Sequence, residues 1–361
     1  MRILHTESSF GWGGQEIRIF KESLGLRKNG HEVIFAIIKN GKLVDKLKKE
    51  GFIVYEIDFR KSNFFLALYQ LIRIIKRHNI DIINTHSSND SWIGGIAGRL
   101  TKIKIIRTRH LSTPVKGKIN AKLLYGLLCD FVVTTCSSII PKISNQSGKP
   151  LSRFLCIASG VDVSKVSYEK EKALAFREKY NVKPDDILIG TACFMRSWKG
   201  IDDFLKAADL LREENNVKWV IIGGGHEKEY REKASLLKLP NLVFTGHLNY
   251  PYEAIGALDI FALLSTAHEG ISQASLQAAY FKKPLITTKT GGLPEVCVDG
   301  KTGINVTNFS PNEVVQAVLK LKNSRKLRDQ YGEEGKKLVL KNFTFEKTII
   351  ETEKVYLCLE N

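Results

Sequence analysis

An α/β protein of two consecutive doubly wound domains is what this sequence predicts, and three observations carry the prediction. Short apolar runs alternate with amphipathic stretches from end to end, the pattern of parallel βαβ units. The series stops near the middle of the chain and begins afresh. A chain of 361 residues is also longer than one ordinary core accommodates.

In the first series, Arg2–His5, Glu32–Ile38, Ile53–Ile57, Ile82–Thr85, Lys104–Thr108, Phe131–Thr135 and Phe154–Ile157 read as strands. Helices such as Glu16–Lys28 and Phe64–Arg77 lie between them. In the second, Ile187–Cys193, Lys218–Ile222, Leu242–Thr245, Ile260–Leu263, Leu285–Thr287 and Gly303–Val306 read as strands. Ile201–Glu213, Glu227–Leu237, Ser272–Phe281 and Pro311–Lys322 read as the helices between them. The stretch Val161–Glu171 is polar and carries neither period, so the junction is expected there, dividing residues 1–165 from 166–342. No repeat of about 20–50 residues signals a solenoid.

Hydrophobic (43%) and charged (26%) fractions exclude disorder and low complexity. The cysteines at 129, 136, 156, 193, 297 and 358 form no C-x-x-C pair or metal-ligand cluster, and read as buried thiols in a reducing compartment. Met1–His5 reads as a first strand and not a signal peptide. No run reaches the roughly 18 apolar residues of a membrane span. A cytoplasmic protein is therefore expected. The net charge of +17 is unevenly placed: residues 1–165 hold 27 basic and 12 acidic side chains, and residues 166–361 hold 28 and 26. A one-sided basic domain implies an anionic partner. Without an aromatic-interleaved basic motif, nucleic acid is not that partner.

Ligands of open α/β sheets bind at the strand C-termini, so the residues just after each strand are the ones to inspect. After the first strand, Gly11-Trp12-Gly13-Gly14-Gln15-Glu16 leads into a helix; its glycines permit close backbone approach, but the spacing is not a dinucleotide fingerprint. His86 and His110 follow the fourth and fifth strands, where an imidazole either accepts a proton or binds a sugar hydroxyl, or serves only as a capped structural residue. In the second half, Phe194-Met195-Arg196-Ser197-Trp198-Lys199-Gly200 precedes a helix opened by Asp202 and Asp203, and the pair Arg196 and Lys199 suits a diphosphate without a metal. Gly223-Gly224-Gly225 and Gly246-His247 follow the next strands, as ligand contacts or as tight turns. The sharpest segment is Ser265–Gln277. It sets Glu269 and Gly270 at the mouth of a helix, with Ile271 and Ser272 offering N–H groups to an anion and Gln277 along the side for a ribose. Gly291-Gly292-Leu293-Pro294-Glu295 supplies a loop beside the same tip.

Taken together, Arg196–Gly200, Val220–Gly225, Asn241–Gly246, Asp259–Ser265, Glu269-Gly270, Gly291–Glu295 and Asp299–Gly303 resemble the family 4 glycosyltransferases, retaining enzymes of the GT-B fold, over essentially the whole chain. The resemblance implies two Rossmann-like domains facing a cleft and a last helix, within 343–361, crossing back onto the first. It implies Arg196 and Lys199 on the donor diphosphate, Glu269 at the donor sugar, His110 at the sugar site, and a Gly13–Gly14 loop closing over the donor phosphate or acceptor. Gly224, Gly246, His247, Gly270, Ile271, Ser272, Gln277 and Glu295 complete the donor-binding set, with no cofactor and no metal. Three departures stand out: the family's second glutamate is Gln277, its Asn-Gly-Val-Asp is Ser159-Gly160-Val161-Asp162, and the arginine five residues before the lysine is Phe194.

The activity implied is transfer of a hexose-type sugar from a nucleoside-diphosphate sugar to a glycan or lipid-linked acceptor in cell-surface polysaccharide or lipopolysaccharide synthesis. A nucleotide-sugar epimerase of the same fold and a donor-binding subunit with little turnover are the alternatives. The basic first domain then faces the anionic inner membrane surface. Lys61–Arg77, with Phe64, Phe65, Leu68, Leu71, Ile72 and Ile75, reads as either an amphipathic membrane-contact helix or a core helix with a basic outer face. Lys116, Lys118 and Lys122 before Leu123-Leu124-Tyr125 form a second contact of the same kind.

Overall fold

A computed structural model describes residues 1–113 and 115–360. Asn361, the end of the segment drawn from sequence as 343–361, and Pro114 within the first domain lie outside the described residues. The chain forms two compact units, one of residues 1–158 with the C-terminal helix from Glu346, the other Ser159–Phe345.

The first unit is a parallel sheet of β1 (Arg2–Glu7), β2 (Glu32–Ile38), β3 (Ile53–Ile57), β4 (Ile82–Thr85), β5 (Lys104–Arg109), β6 (Phe131–Thr134) and β7 (Phe154–Cys156). Their order is β3-β2-β1-β4-β5-β6-β7. The second unit holds β8 (Ile187–Ala192), β9 (Val217–Ile222), β10 (Leu242–Gly246), β11 (Ile260–Leu263), β12 (Leu285–Thr288) and β13 (Gly303–Val306), in the order β10-β9-β8-β11-β12-β13. Each sheet therefore reverses its winding at one place, between β1 and β4 in the first and between β8 and β11 in the second. These are the switch points at which an open α/β sheet leaves a crevice beyond its strand ends.

The strand sequences account for the sheets. β2, β4, β8 and β11 are nearly continuous runs of buried residues, because helices cover both faces of a parallel sheet. In the second unit, fully buried Trp219 meets Phe204 edge to face at 4.9 Å, tying the sheet to the helix Ile201–Leu210. β1 runs to Glu7, beyond the His5 end drawn from sequence, because its polar end still pairs with β2. The units part between Ala158 and Ser159, before the 165/166 division drawn from sequence. Composition marks that stretch as linker, but its backbone is already committed: Val161 N–H donates to the Phe343 carbonyl (2.8 Å) and Phe345 N–H to the Val161 carbonyl (2.8 Å). The C-terminal helix Phe345–Glu360 docks on the first sheet, where the Asn84 amide donates to the Tyr356 hydroxyl (2.8 Å) and His31 meets Glu353 (2.8 Å).

The two basic contact segments divide differently from the sequence reading. In the helix Phe64–Arg77, Leu71 and Ile75 are buried in the core, while Phe65 (84% exposed), Leu66 and Tyr69 face outward. Leu124 and Tyr125 are likewise buried, leaving Ile119 and Leu127 as the exposed apolar residues beside Lys116, Lys118 and Lys122. Among the described residues no helix is long and apolar enough to cross a membrane.

Helix Gln273–Tyr280, which carries Gln277, is held from behind by helix Arg325–Asn342. Close approach just past the end of that helix needs a glycine: a Cβ on Gly332 would lie 2.1 Å from the carbonyl oxygen of Lys282. Gly332→Ala is therefore expected to destabilise the protein by about 1–3 kcal/mol despite alanine's better helix propensity. Urea unfolding of the two proteins checks this; an unchanged midpoint would show that the helices separate freely.

Candidate functional site

In the second unit the switch-point strands β8 and β11 each end in a loop that holds one member of an ion pair. The β8 loop turns through the short 3₁₀ segment Ser197–Lys199 into Gly200, at φ +69°, and then into a helix. Gly200 lies against the end of β11: a Cβ there would sit 2.0 Å from the Leu264 carbonyl oxygen, so only glycine permits the approach. Thr266 N–H donates to the Trp198 carbonyl (2.8 Å), fixing the two loops together. Lys199 Nζ thereby meets Glu269 Oε1, which also accepts the Ser265 hydroxyl (2.7 Å). Glu269 is 5% exposed. Its neighbour His268 takes the left-handed conformation (φ +60°) and packs edge-on against Trp198, with ring centroids 5.0 Å apart.

Arg196 is exposed, with its guanidinium 5.2 Å from both the Phe194 and Trp198 ring centroids. Among the described residues it forms no ion pair, so its charge is left for an anion. Phe194 thus supports Arg196. On the other flank, Met195 N–H donates to the Gly224 carbonyl (2.7 Å) and Gly223 N–H to the Gly246 carbonyl (3.0 Å). This brings Arg196, Gly224, Gly246 and exposed His247 to one strand-end surface.

Glu269 is joined through its backbone to the loop after β12, Gly292 N–H donating to its carbonyl at 3.3 Å. Glu295 ends the 3₁₀ turn Leu293–Glu295 of that loop and is half-buried. Gly270 is partly exposed and Ile271 is buried. Ser272 is the N-cap of helix Gln273–Tyr280, its hydroxyl oxygen accepting Ser275 N–H (3.3 Å). Gln277 is half-exposed on that helix, with no side-chain hydrogen bond among the described residues. Gln273 instead turns its amide onto the Ser159 and Gly160 carbonyls.

The first unit has its own polar cluster at the β1/β4 switch point. Gly13 and Gly14 are exposed; Gly13 is the N-cap of helix Gly14–Lys28, its N–H donating to Glu16 (2.8 Å). Glu7, at the end of β1, accepts from Ser9 N–H (2.7 Å), the Ser87 hydroxyl and the Gln15 amide. Burial, with Asp90 nearby, pushes the Glu7 carboxyl up to about 7. Asp90 accepts the hydroxyls of Thr6 (2.9 Å) and Ser8 (2.9 Å) and His86 N–H (2.9 Å). His110 is partly exposed, and its ring is bonded to buried His86, which is bonded in turn to His5. Sequence reasoning missed His5, Ser265 and His268. Ser265 and His268 sit in a segment already singled out, but His5 lies inside a strand, where nothing distinguishes it from a core residue. Among the described residues no group of three His, Cys, Asp or Glu side chains is placed to hold a metal ion.

The profile of the glycosyl transferases group 1 matches residues 173–338, and that of glycosyltransferase family 4 matches residues 12–165. The chain belongs to the family 4 glycosyltransferases of the GT-B type. It is similar to the O-antigen chain mannosyltransferase C of Escherichia coli, 25% identical with 99% of each chain covered. It is also similar to the capsular polysaccharide biosynthesis glycosyltransferase CapM of Staphylococcus aureus, 24% identical with 80% of each covered. Among solved structures, Anabaena HepE in complex with UDP shares the fold, with a TM-score of 0.87 at 17% identity, covering 99% of this chain and 100% of that one.

As a GT-B glycosyltransferase the protein holds a buried carboxylate whose charge is met by one lysine and one hydroxyl. Removing the lysine leaves that charge stranded, whereas neutralising the carboxylate leaves a lysine whose side chain is 19% exposed, against 7% for that of Glu269, and so is the better reached by water. Lys199→Met is therefore expected to lower stability by about 2 kcal/mol or more, and Glu269→Gln by clearly less. Equal losses in denaturant titrations would show that the pair does not hold Glu269 in place.

Proposed function

We propose that this glycosyltransferase moves a hexose-type sugar from a nucleoside-diphosphate sugar, with retention of anomeric configuration, to a glycan or lipid-linked acceptor of a surface polysaccharide. The observation that carries the reading is the Lys199–Glu269–Ser265 cluster at the β8/β11 switch point, with Arg196 unpaired beside it. Arg196 and Lys199 take the donor diphosphate and offset the charge that grows on the departing nucleotide. Glu269, held between Lys199 and Ser265, accepts from hydroxyls of the donor sugar. Gln277 faces the ribose, and Gly224, Gly246 and His247 line the base side. The acceptor hydroxyl attacks on the face from which the diphosphate leaves, which keeps the configuration without a protein nucleophile.

Solved structures of HepE with UDP and with UDP-glucose make a uridine donor the first to test. The decisive measurement is transfer from uridine, guanosine and adenosine diphosphate sugars, each first screened by thermal shift. A matching donor at 100 times its dissociation constant is expected to add about 2.7 kcal/mol. Glu269→Ala is expected to cut transfer by about 100-fold or more, and EDTA to leave the rate unchanged. A product of inverted configuration would exclude the mechanism. Binding with neither transfer nor donor hydrolysis would make the chain a donor-binding module, and donor conversion without acceptor would make it an epimerase.

A lipid-linked acceptor fits the first unit, whose exposed Phe65, Leu66 and Tyr69 share a helix with Arg73, Lys76 and Arg77. Apolar side chains set among cations suit an anionic bilayer surface. Vesicles containing anionic lipid are expected to sediment the protein and neutral ones to release it, with Phe65→Ser weakening the first by several-fold. Equal sedimentation with both vesicles would reject the membrane reading.

A further inference from the structure

Three histidines of the first unit line up across adjacent strand ends: His5 in β1, His86 after β4 and His110 after β5. His5 Nδ1 lies 2.8 Å from His86 Nε2, and His86 Nδ1 lies 3.0 Å from His110 Nε2. The ring centroids are 5.1 and 5.3 Å apart, in each case the N···N distance plus two ring radii, so the facing nitrogens point straight at each other. The first two rings are coplanar to within 6°. The inner end of this chain is closed: His5 Nε2 is buried and has no hydrogen-bond partner among the described residues. The outer end is open, since His110 is partly exposed and its Nδ1 has no partner among them.

A neutral imidazole carries one N–H and one lone pair, and each contact needs one of each. Two registers satisfy both contacts: all three rings protonated at Nδ1, or all three at Nε2. Burial keeps the rings uncharged, lowering His5 to about 3 and holding His86 and His110 well below the usual histidine value; Arg18 and Arg107 add to the effect on both, and Arg109 to that on His110. The Nε2 register would bury an N–H of His5 without an acceptor, the rarer kind of orphan in folded proteins. The Nδ1 register leaves only a lone pair there.

We infer that His5 and His86 are positioning residues that hold His110 with its Nδ1–H outward, so that His110 meets its ligand as a hydrogen-bond donor to an oxygen. The arginines around it favour an electron-rich group of that kind, a sugar or phosphate oxygen. That His110 meets the donor rests on the glycosyl-transfer reading; the shared register does not.

Long-range proton–nitrogen correlation spectra of the full chain, labelled at histidine and without ligand, read the register directly. All three rings are expected to show Nδ1–H. A mixed pattern would overturn the chain, and a uniform Nε2–H pattern would overturn the donor assignment. Adding UDP-glucose is expected to move the His5 nitrogens together with those of His110, although His5 is fully buried, and His86→Phe to abolish the His5 response. A His110 shift with His5 unmoved in the unsubstituted protein would overturn the coupling, and that arm stands even if the variant does not fold. An intact register in a protein that transfers no sugar would sink the enzymatic reading and leave the relay standing.

Discussion

A parallel sheet covered on both faces makes an unpaired polar group costly anywhere but at its strand ends, and most of what distinguishes this protein follows from that constraint. Where polar side chains do enter the first sheet, most of their polar atoms pair with one another, the buried His5 Nε2 being an exception. Thr108 donates to Asn84 (2.8 Å), Asn84 donates to Tyr356 (2.8 Å), and His5 is bonded to His86 (2.8 Å). The remaining chemistry is driven to the edges where the winding reverses. Glu7, His86 and Asp90 gather at one such edge, and Lys199 and Glu269 at the other.

At the second edge, backbone geometry comes before charge. Gly200 lets the β8 loop lie on the end of β11, and the Thr266–Trp198 hydrogen bond fixes it there. Lys199 can reach Glu269 only because that approach is made. A partly buried ion pair is a weak source of stability, since desolvation opposes the attraction. Its value here is directional: with Oε1 taken by Lys199 and Ser265, the carboxylate has a fixed orientation.

Much of this was legible in the sequence. The strands fell where apolar runs fall, and Arg196, Lys199 and Glu269 stood out because cations and a carboxylate beside glycines follow strands. Three kinds of information were not legible. The division at Ala158 depends on backbone hydrogen bonds between Val161 and the Phe343–Phe345 segment, far apart in the chain. The facing of helix Phe64–Arg77 depends on which residues the core accepts: it took Leu71 and Ile75 and left out Phe65. The place of His5 depends on strand order, since β1 lies beside β4 and not beside its sequence neighbour alone. A histidine inside an apolar run looks like any core residue until the neighbouring strand is known.

Gln277 can be weighed against this background. Glu269 is fixed by two partners and by a loop that only glycine allows, so its surroundings tolerate little change. Gln277 is half-exposed, carries no side-chain hydrogen bond among the described residues, and sits on a helix whose N-cap is made by Ser272 and whose Ala279 faces Gly335 of the helix Arg325–Asn342. Exchanging carboxylate for amide at such a position breaks no contact of the scaffold. A carboxylate only accepts, whereas an amide also donates. Position 277 is therefore one that can vary at little structural cost, while Lys199 and Glu269 are bound into the fold.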